Sequence, residues 1–144
     1  MRLNPSKYGG ANKVNEANEF GNVCTQLPSN TQNGQPTTPG QSEALLGAKE
    51  SEDCLYLNVF TPALKANRAK GLSVMVYVHG GRFTSLSSSV PIFEPGNVVS
   101  RGDVVVVSVN YRLNTFGLFE NTSKIPRSRA PGNLATRDQI AALR

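Results

Sequence analysis

Residues 103–110 contain Val-Val-Val-Val-Ser-Val, a near-continuous run of β-branched side chains with no turn former. Such a run is a strand, and the lack of apolar/polar alternation implies burial on both faces, as in a parallel sheet. A second run, Val-Met-Val-Tyr-Val at residues 74–78, ends abruptly in His79-Gly80-Gly81-Arg82-Phe83. A parallel partner needs a crossover of about a dozen residues or more, and the segment between the two runs is long enough to make one. The two runs together predict an α/β sheet, with the Gly pair at the carboxyl end of its strand, where open α/β sheets place ligands. Two glycines there let the backbone take conformations closed to other residues and bring main-chain N–H groups close to a bound group. The same pattern also fits a tight strand-to-loop turn with no chemistry.

Around these runs, residues 55–60 alternate Leu-Tyr-Leu-Asn-Val-Phe and are closed by Thr61-Pro62, which predicts a short strand. Residues 63–71 are basic and turn-like. The connection 80–102 carries the serines of 85–89, with one helical turn near 97–100. Residues 111–129 read as a loop. From Leu134 onward, Leu134, Ile140 and Leu143 among alanines predict the opening of an amphipathic helix, and no cap signal precedes Arg144, so the natural protein is expected to continue. Residues 1–50 are rich in Asn, Gly, Pro, Gln, Ser and Thr and read as loop. The whole, 1–144, reads as the N-terminal part of one domain, loop-rich to residue 50 and built of strands, a glycine loop and the start of a helix after it.

Composition narrows the function classes. With 38% hydrophobic and 17% charged residues the chain is globular. Its formal charge of +5 comes from 15 Lys and Arg against 10 Asp and Glu, scattered without the one-faced cluster that nucleic-acid binding needs. No apolar run approaches the roughly 20 residues of a membrane span, so no stable membrane insertion is expected. Met-Arg-Leu-Asn-Pro lacks the apolar core of a signal peptide. Cys24 and Cys54 have no metal-ligand spacing, and His79 is the single histidine. The two cysteines are either reduced core thiols or one disulfide. Neither Gly-x-Gly-x-x-Gly nor a Gly-Lys-Ser/Thr phosphate loop occurs, which argues against a nucleotide-binding α/β domain. No cofactor is expected.

Several stretches fit together: Ser51-Glu52-Asp53-Cys54-Leu55-Tyr56-Leu57-Asn58-Val59, the His79-Gly80-Gly81-Arg82-Phe83 loop, Asn110-Tyr111-Arg112-Leu113 with Phe116-Gly117, and Pro131-Gly132-Asn133-Leu134 followed by Asp138-Gln139. They closely resemble the type B carboxylesterase/lipase family, which also holds cholinesterases and large fungal lipases. The resemblance is strong after Ser51 and weak before it. It implies a partial α/β-hydrolase fold in which the three strands are the second, third and fourth of the central sheet, with the fourth between the other two and the third at the edge of the fragment's sheet. It also implies ester hydrolysis by a Ser/acid/His triad, acting on small-molecule or lipid esters, with backbone N–H groups holding the oxyanion.

Residue by residue, the resemblance places the oxyanion donors at the N–H groups of Gly81 and Arg82. Arg82 departs from the family pattern, which carries Gly or Ala there. The triad is absent: no Gly-x-Ser-x-Gly occurs, the serines of 85–89 lie in the wrong loop, and His79 belongs to the oxyanion loop. The chain alone is therefore expected to be inactive, with a nucleophile elbow expected roughly 20–30 residues beyond Arg144. The same correspondence implies a Cys24–Cys54 disulfide, hence an extracellular or secreted parent, and ion pairs Arg2–Glu52 and Arg112–Asp138, against the alternative of four solvated surface charges. Asn121-Thr122-Ser123 is a glycosylation sequon. The competing functional reading is a cholinesterase-like binding or adhesion protein without a working nucleophile, where Arg82 would be tolerated.

Overall fold

A computed structural model of the chain describes residues 19–26, 49–62, 71–120 and 132–144. The elements are β1 (Val23–Cys24), β2 (Glu50–Ser51), β3 (Leu57–Phe60), β4 (Ser73–Val78), α1 (Gly96–Gly102), β5 (Val104–Val109), α2 (Asn114–Leu118) and α3 (Leu134–Ala142), with a 3-10 turn at Pro91–Phe93. The three longer strands form one sheet in the order β3-β5-β4. β4 runs parallel to β5 in the register Ser73↔Val104 to Val78↔Val109. β3 runs antiparallel to β5, from Leu57↔Val109 to Phe60↔Val106. The four-valine strand is thus central, as the resemblance implied.

Burial of β5 falls short of the double coverage that its composition suggests. Val106, Ser108 and Val109 are buried, whereas Val104, Val105 and Val107 are half-buried. Both edges of β5 are paired, but α1 covers it only in part among the described residues. β4 is the open edge of the described sheet, and Val74 and Met75 are 60% and 52% exposed.

Three further expectations are corrected. Residues 1–50 are not all loop: Val23–Cys24 pairs parallel with Glu50–Ser51, a bridge too short to leave any periodicity in the sequence. The 111–129 loop contains α2, a five-residue helix. The helix at 134 is present, but its buried residues are Ala135 and Asp138, while Ile140 and Leu143 are exposed. Positions three apart share a helix face. The small Ala135 and the paired Asp138 therefore define the inward stripe, and the larger aliphatic residues point outward.

Two small cores form among the described residues. Cys24, Cys54, Tyr111, Leu113 and Ala135 form one, with Leu55 against it; Val23 and Val90 form the other, with Leu86 against it. Close approach of α2 and α3 depends on Gly117, where a Cβ would lie 2.2 Å from the Arg112 carbonyl oxygen and 3.1 Å from the Ala135 Cβ. A polar seam joins the sheet to the serine-rich connection. Asn58 Nδ2 donates to Ser88 Oγ at 3.0 Å and to Ser108 Oγ at 3.2 Å, and Ser88 N–H donates to Asn110 Oδ1 at 2.9 Å. The seam explains why Ser108 interrupts the valine run: a buried hydroxyl must be hydrogen-bonded, and here it donates to the Ser88 carbonyl.

Candidate active site

The loop following β4 is built on a backbone conformation that one glycine of the pair, Gly81, makes possible. Gly81 has φ +94°, and a Cβ there would lie 2.0 Å from the Ser85 carbonyl oxygen, so both conformation and space demand glycine. Arg82 and Phe83 follow at φ +57° and +62°, a left-handed pair rare for residues with side chains. A tight turn closes on the Gly81 carbonyl, which accepts from Thr84 N–H at 2.9 Å, Ser85 N–H at 3.1 Å and Thr84 Oγ1 at 2.9 Å. Among the described residues, the N–H groups of Gly81 and Arg82 have no acceptor. Gly80 is different: a Cβ there would meet nothing within 4 Å, so one side of the loop faces open space. Arg82 is exposed.

Beneath the loop sits His79, buried at 3% exposure. Its ring stacks on Tyr111 with centroids 4.4 Å apart, and Phe83 meets the same Tyr111 edge-on at 5.7 Å. His79 Nδ1 lies 3.0 Å from the Gly80 carbonyl oxygen. A carbonyl only accepts, so that contact needs the proton on Nδ1. Burial holds the imidazole below the usual histidine range, against an upward pull from the Gly80 carbonyl. The unfolded chain takes up a proton near about pH 6.5 that the folded chain resists. The His79 contribution to stability should therefore be flat above that pH and fall as pH drops through the ordinary histidine range toward the lowered folded value. Urea midpoints at about pH 7.5 and 5.5 should show this decline in the parent and a smaller one in His79→Gln; equal declines in both would remove His79 as the cause.

Tyr111 is the residue that the sequence reading passed over. Its hydroxyl donates to the His79 carbonyl at 2.7 Å and lies 3.2 Å from the Gly80 carbonyl oxygen. Register is the signal: because Val78 pairs with Val109 in parallel, the residues just beyond β5 must lie beside the loop just beyond β4. Asn114 completes the support, its N–H donating to the Phe83 carbonyl at 2.8 Å and its Nδ2 to the Thr84 carbonyl at 3.0 Å. On the far side, Gln26 brackets Leu86, accepting its N–H at 2.7 Å and donating to its carbonyl at 3.2 Å.

Cys24 and Cys54 are joined in a disulfide, with Cα atoms 4.8 Å apart. Arg112 and Asp138 form a two-pronged pair, Nε to Oδ2 at 2.7 Å and Nη2 to Oδ1 at 2.6 Å, and the Arg112 N–H adds a third bond to Oδ2 at 3.1 Å. The hydrogen bond to Asp138 raises the guanidinium above its ordinary range, opposed by partial burial. The Asp138 side chain is only 7% exposed, so Arg112→Ala would strand a buried carboxylate. We expect a loss of about 3 kcal/mol, toward the low end for a buried pair because the Arg112 side chain is 32% exposed. Equilibrium denaturation of Arg112→Ala, with Asp138→Ala and the double variant closing the cycle, measures it; an unchanged midpoint would count against the clamp. Arg2 and Asn121 lie outside the described residues, so neither the Arg2–Glu52 pair nor the sequon is seen. Glu52 itself is exposed and lines a hollow of about 420 Å³ with Cys24, Cys54 and Phe116. Neither that hollow nor a second one beside α1 is lined by the 79–83 loop. Among the described residues no group of three or more His, Cys, Asp or Glu is arranged to hold a metal ion, and no helix is long and apolar enough to cross a membrane.

Residues 3–144 match the Carboxylesterase family. The chain is 40% identical over 132 residues to the Acetylcholinesterase of Danio rerio, an alignment covering 92% of this chain and 20% of that protein. It is 34% identical over 131 residues to the Para-nitrobenzyl esterase of Bacillus subtilis (strain 168), covering 91% and 24%. With Carboxylesterase 5A of Mus musculus it shares 45% identity over 93 residues, covering 65% and 15%. The chain spans about a fifth of the length of the curated relatives it matches. With the match running nearly end to end and the sheet in the order β3-β5-β4, the chain belongs to the carboxylesterase family and carries part of its α/β-hydrolase fold.

Proposed function

We propose that this chain is the oxyanion-loop section of a serine carboxylic ester hydrolase, part of one α/β domain in a longer protein. The observation that carries the reading is the pair of N–H groups at Gly81 and Arg82, without acceptors among the described residues, on a left-handed turn at the carboxyl end of a parallel strand. In ester hydrolysis a serine oxygen bonds to the acyl carbon while the carbonyl π electrons move to oxygen, giving a tetrahedral oxyanion. Two fixed N–H donors aimed at that oxygen stabilise the charge as it develops, and losing one such donor costs roughly 10²–10³ in rate. The turn fixes both donors before substrate arrives. The serine, its base and the orienting acid must come from sequence outside these residues, so the chain alone should not turn over esters.

The substrates are small-molecule or lipid esters, and the disulfide suits a secreted protein. The test is hydrolysis of p-nitrophenyl acetate by the full-length protein, with labelling of its elbow serine by a phosphonate. Absence of turnover despite an intact serine elbow would sink the proposal, as would serine-dependent turnover by the chain alone. Arg82, exposed where the family keeps a small residue, favours the second reading of a nucleophile-free binding protein; Gly or Ala in place of the elbow serine would establish it.

A further inference from the structure

The two donor N–H groups belong to peptide units whose carbonyls lie on the opposite side of the loop. A peptide unit is planar and trans, so fixing the direction of its C=O fixes its N–H in the opposite direction. The Gly80 carbonyl shares a plane with Gly81 N–H, and the Gly81 carbonyl shares one with Arg82 N–H. The first carbonyl lies 3.2 Å from Tyr111 Oη and 3.0 Å from His79 Nδ1. The second accepts the Thr84 hydroxyl at 2.9 Å together with the Thr84 and Ser85 amides.

From this we propose that Tyr111 and Thr84 are positioning residues for the reaction: their hydroxyls hold the carbonyl ends of the two donor peptides, so that both N–H groups converge on the oxyanion. The inference rests on the oxyanion reading given above. Tyr111 is suited to the role by more than its distances. It is 3% exposed, its ring is held between His79 and Phe83, and its single hydroxyl proton is shared between two successive carbonyls, at 2.7 Å from that of His79 and 3.2 Å from that of Gly80. Burial, with repulsion from Tyr77 adding to it, pushes the phenol up from its ordinary value, so the group remains a donor across the neutral range. Hydrogen bonds in series polarise one another, so a bond accepted at the carbonyl also strengthens the N–H of the same peptide as a donor.

The test uses Tyr111→Phe in the full-length protein, which removes one hydroxyl and keeps both ring contacts. The amide chemical shift is the first readout and needs no activity. A hydrogen bond accepted at the Gly80 carbonyl polarises the Gly81 N–H of the same peptide, so the Gly81 amide resonance should move in Tyr111→Phe while those of Val106 and Val107 in β5 stay unchanged. The second is kinetic: kcat for p-nitrophenyl acetate should fall about tenfold with KM within twofold, short of the roughly hundredfold cost of losing a donor. The affinity of a trifluoromethyl ketone, which forms the tetrahedral adduct, should weaken by the same factor as kcat. Thr84 is exposed, so Thr84→Val tests the second plane without threatening the fold, and Thr84→Ser should restore what Thr84→Val loses. An unmoved Gly81 amide resonance in Tyr111→Phe overturns the positioning role whether or not the protein is an esterase. If Tyr111→Phe fails to fold, an unmoved Arg82 amide resonance in Thr84→Val overturns it instead. Moved Gly81 and Arg82 resonances in a protein with no esterase activity would support the positioning geometry while defeating the hydrolase reading.

Discussion

Gly81→Ala should abolish the geometry of the proposed oxyanion loop, whereas Gly80→Ala should leave the loop's stability within about 0.5 kcal/mol, the ordinary range for a harmless surface change. The two glycines are neighbours with opposite constraints. At Gly81 a methyl group would lie 2.0 Å from the Ser85 carbonyl oxygen, which is backbone and cannot swing aside, and φ +94° adds strain of about 1–3 kcal/mol for a residue with a side chain. The turn would have to rebuild, and with it the Gly81 carbonyl that accepts from Thr84 and Ser85. Both donors would then diverge, so the fall in kcat for the full-length protein should reach at least the roughly 10²-fold cost of one donor lost. Gly80 carries no such demand, since its Cβ would meet nothing within 4 Å. Comparing kcat with thermal melting for the two variants separates loop geometry from global stability. A Gly81→Ala protein with kcat near that of the parent would contradict the structure of the loop as well as its role.

How much of this was legible without coordinates depended on the length over which a pattern repeats. The strands of 74–78 and 104–109 announce themselves because β-branched side chains in series leave little alternative. Within the Gly pair, Gly81 marks a loop because only glycine holds φ +94° there without strain, although nothing in the pair says where its amides point. Two-residue β1 and five-residue α2 left no signal, being shorter than any period that could reveal them. The helix at 134 is recognisable, yet its buried face is not the one its large aliphatic residues mark. Leu134, Ile140 and Leu143 looked like the inward stripe, whereas the three hydrogen bonds from Arg112 draw Asp138 in and leave Ile140 outside. Tyr111 was hidden for a different reason: its role follows from β-register between segments about 30 residues apart, which no local reading supplies.

Replacing Cys24 or Cys54 should give the other large effect, and it should be felt at the loop as well as in global stability. The disulfide closes a separation of 30 residues, worth roughly 3–4 kcal/mol on a chain-entropy estimate. Both cysteines lie in the cluster with Tyr111, Leu113 and Ala135, at 3% and 1% exposure, so a serine would add the cost of burying a hydroxyl among apolar neighbours. The Cys24→Ala/Cys54→Ala protein isolates the cross-link from that second cost, and denaturant midpoints of the two variants measure each. The local consequence runs through Gln26. Its side chain donates to the Cys24 carbonyl at 3.1 Å while bracketing Leu86, which itself stands at φ +76°. A loosened β1 would free that bracket, so the Leu86 amide should exchange faster in the double-alanine protein, by a larger factor than amides in the β4–β5 ladder. If the midpoint falls but Leu86 exchanges at the parental rate relative to β5, the disulfide stabilises the chain without supporting the loop. A midpoint unchanged from the parent would mean instead that the cross-link constrains no conformation the unfolded chain explores.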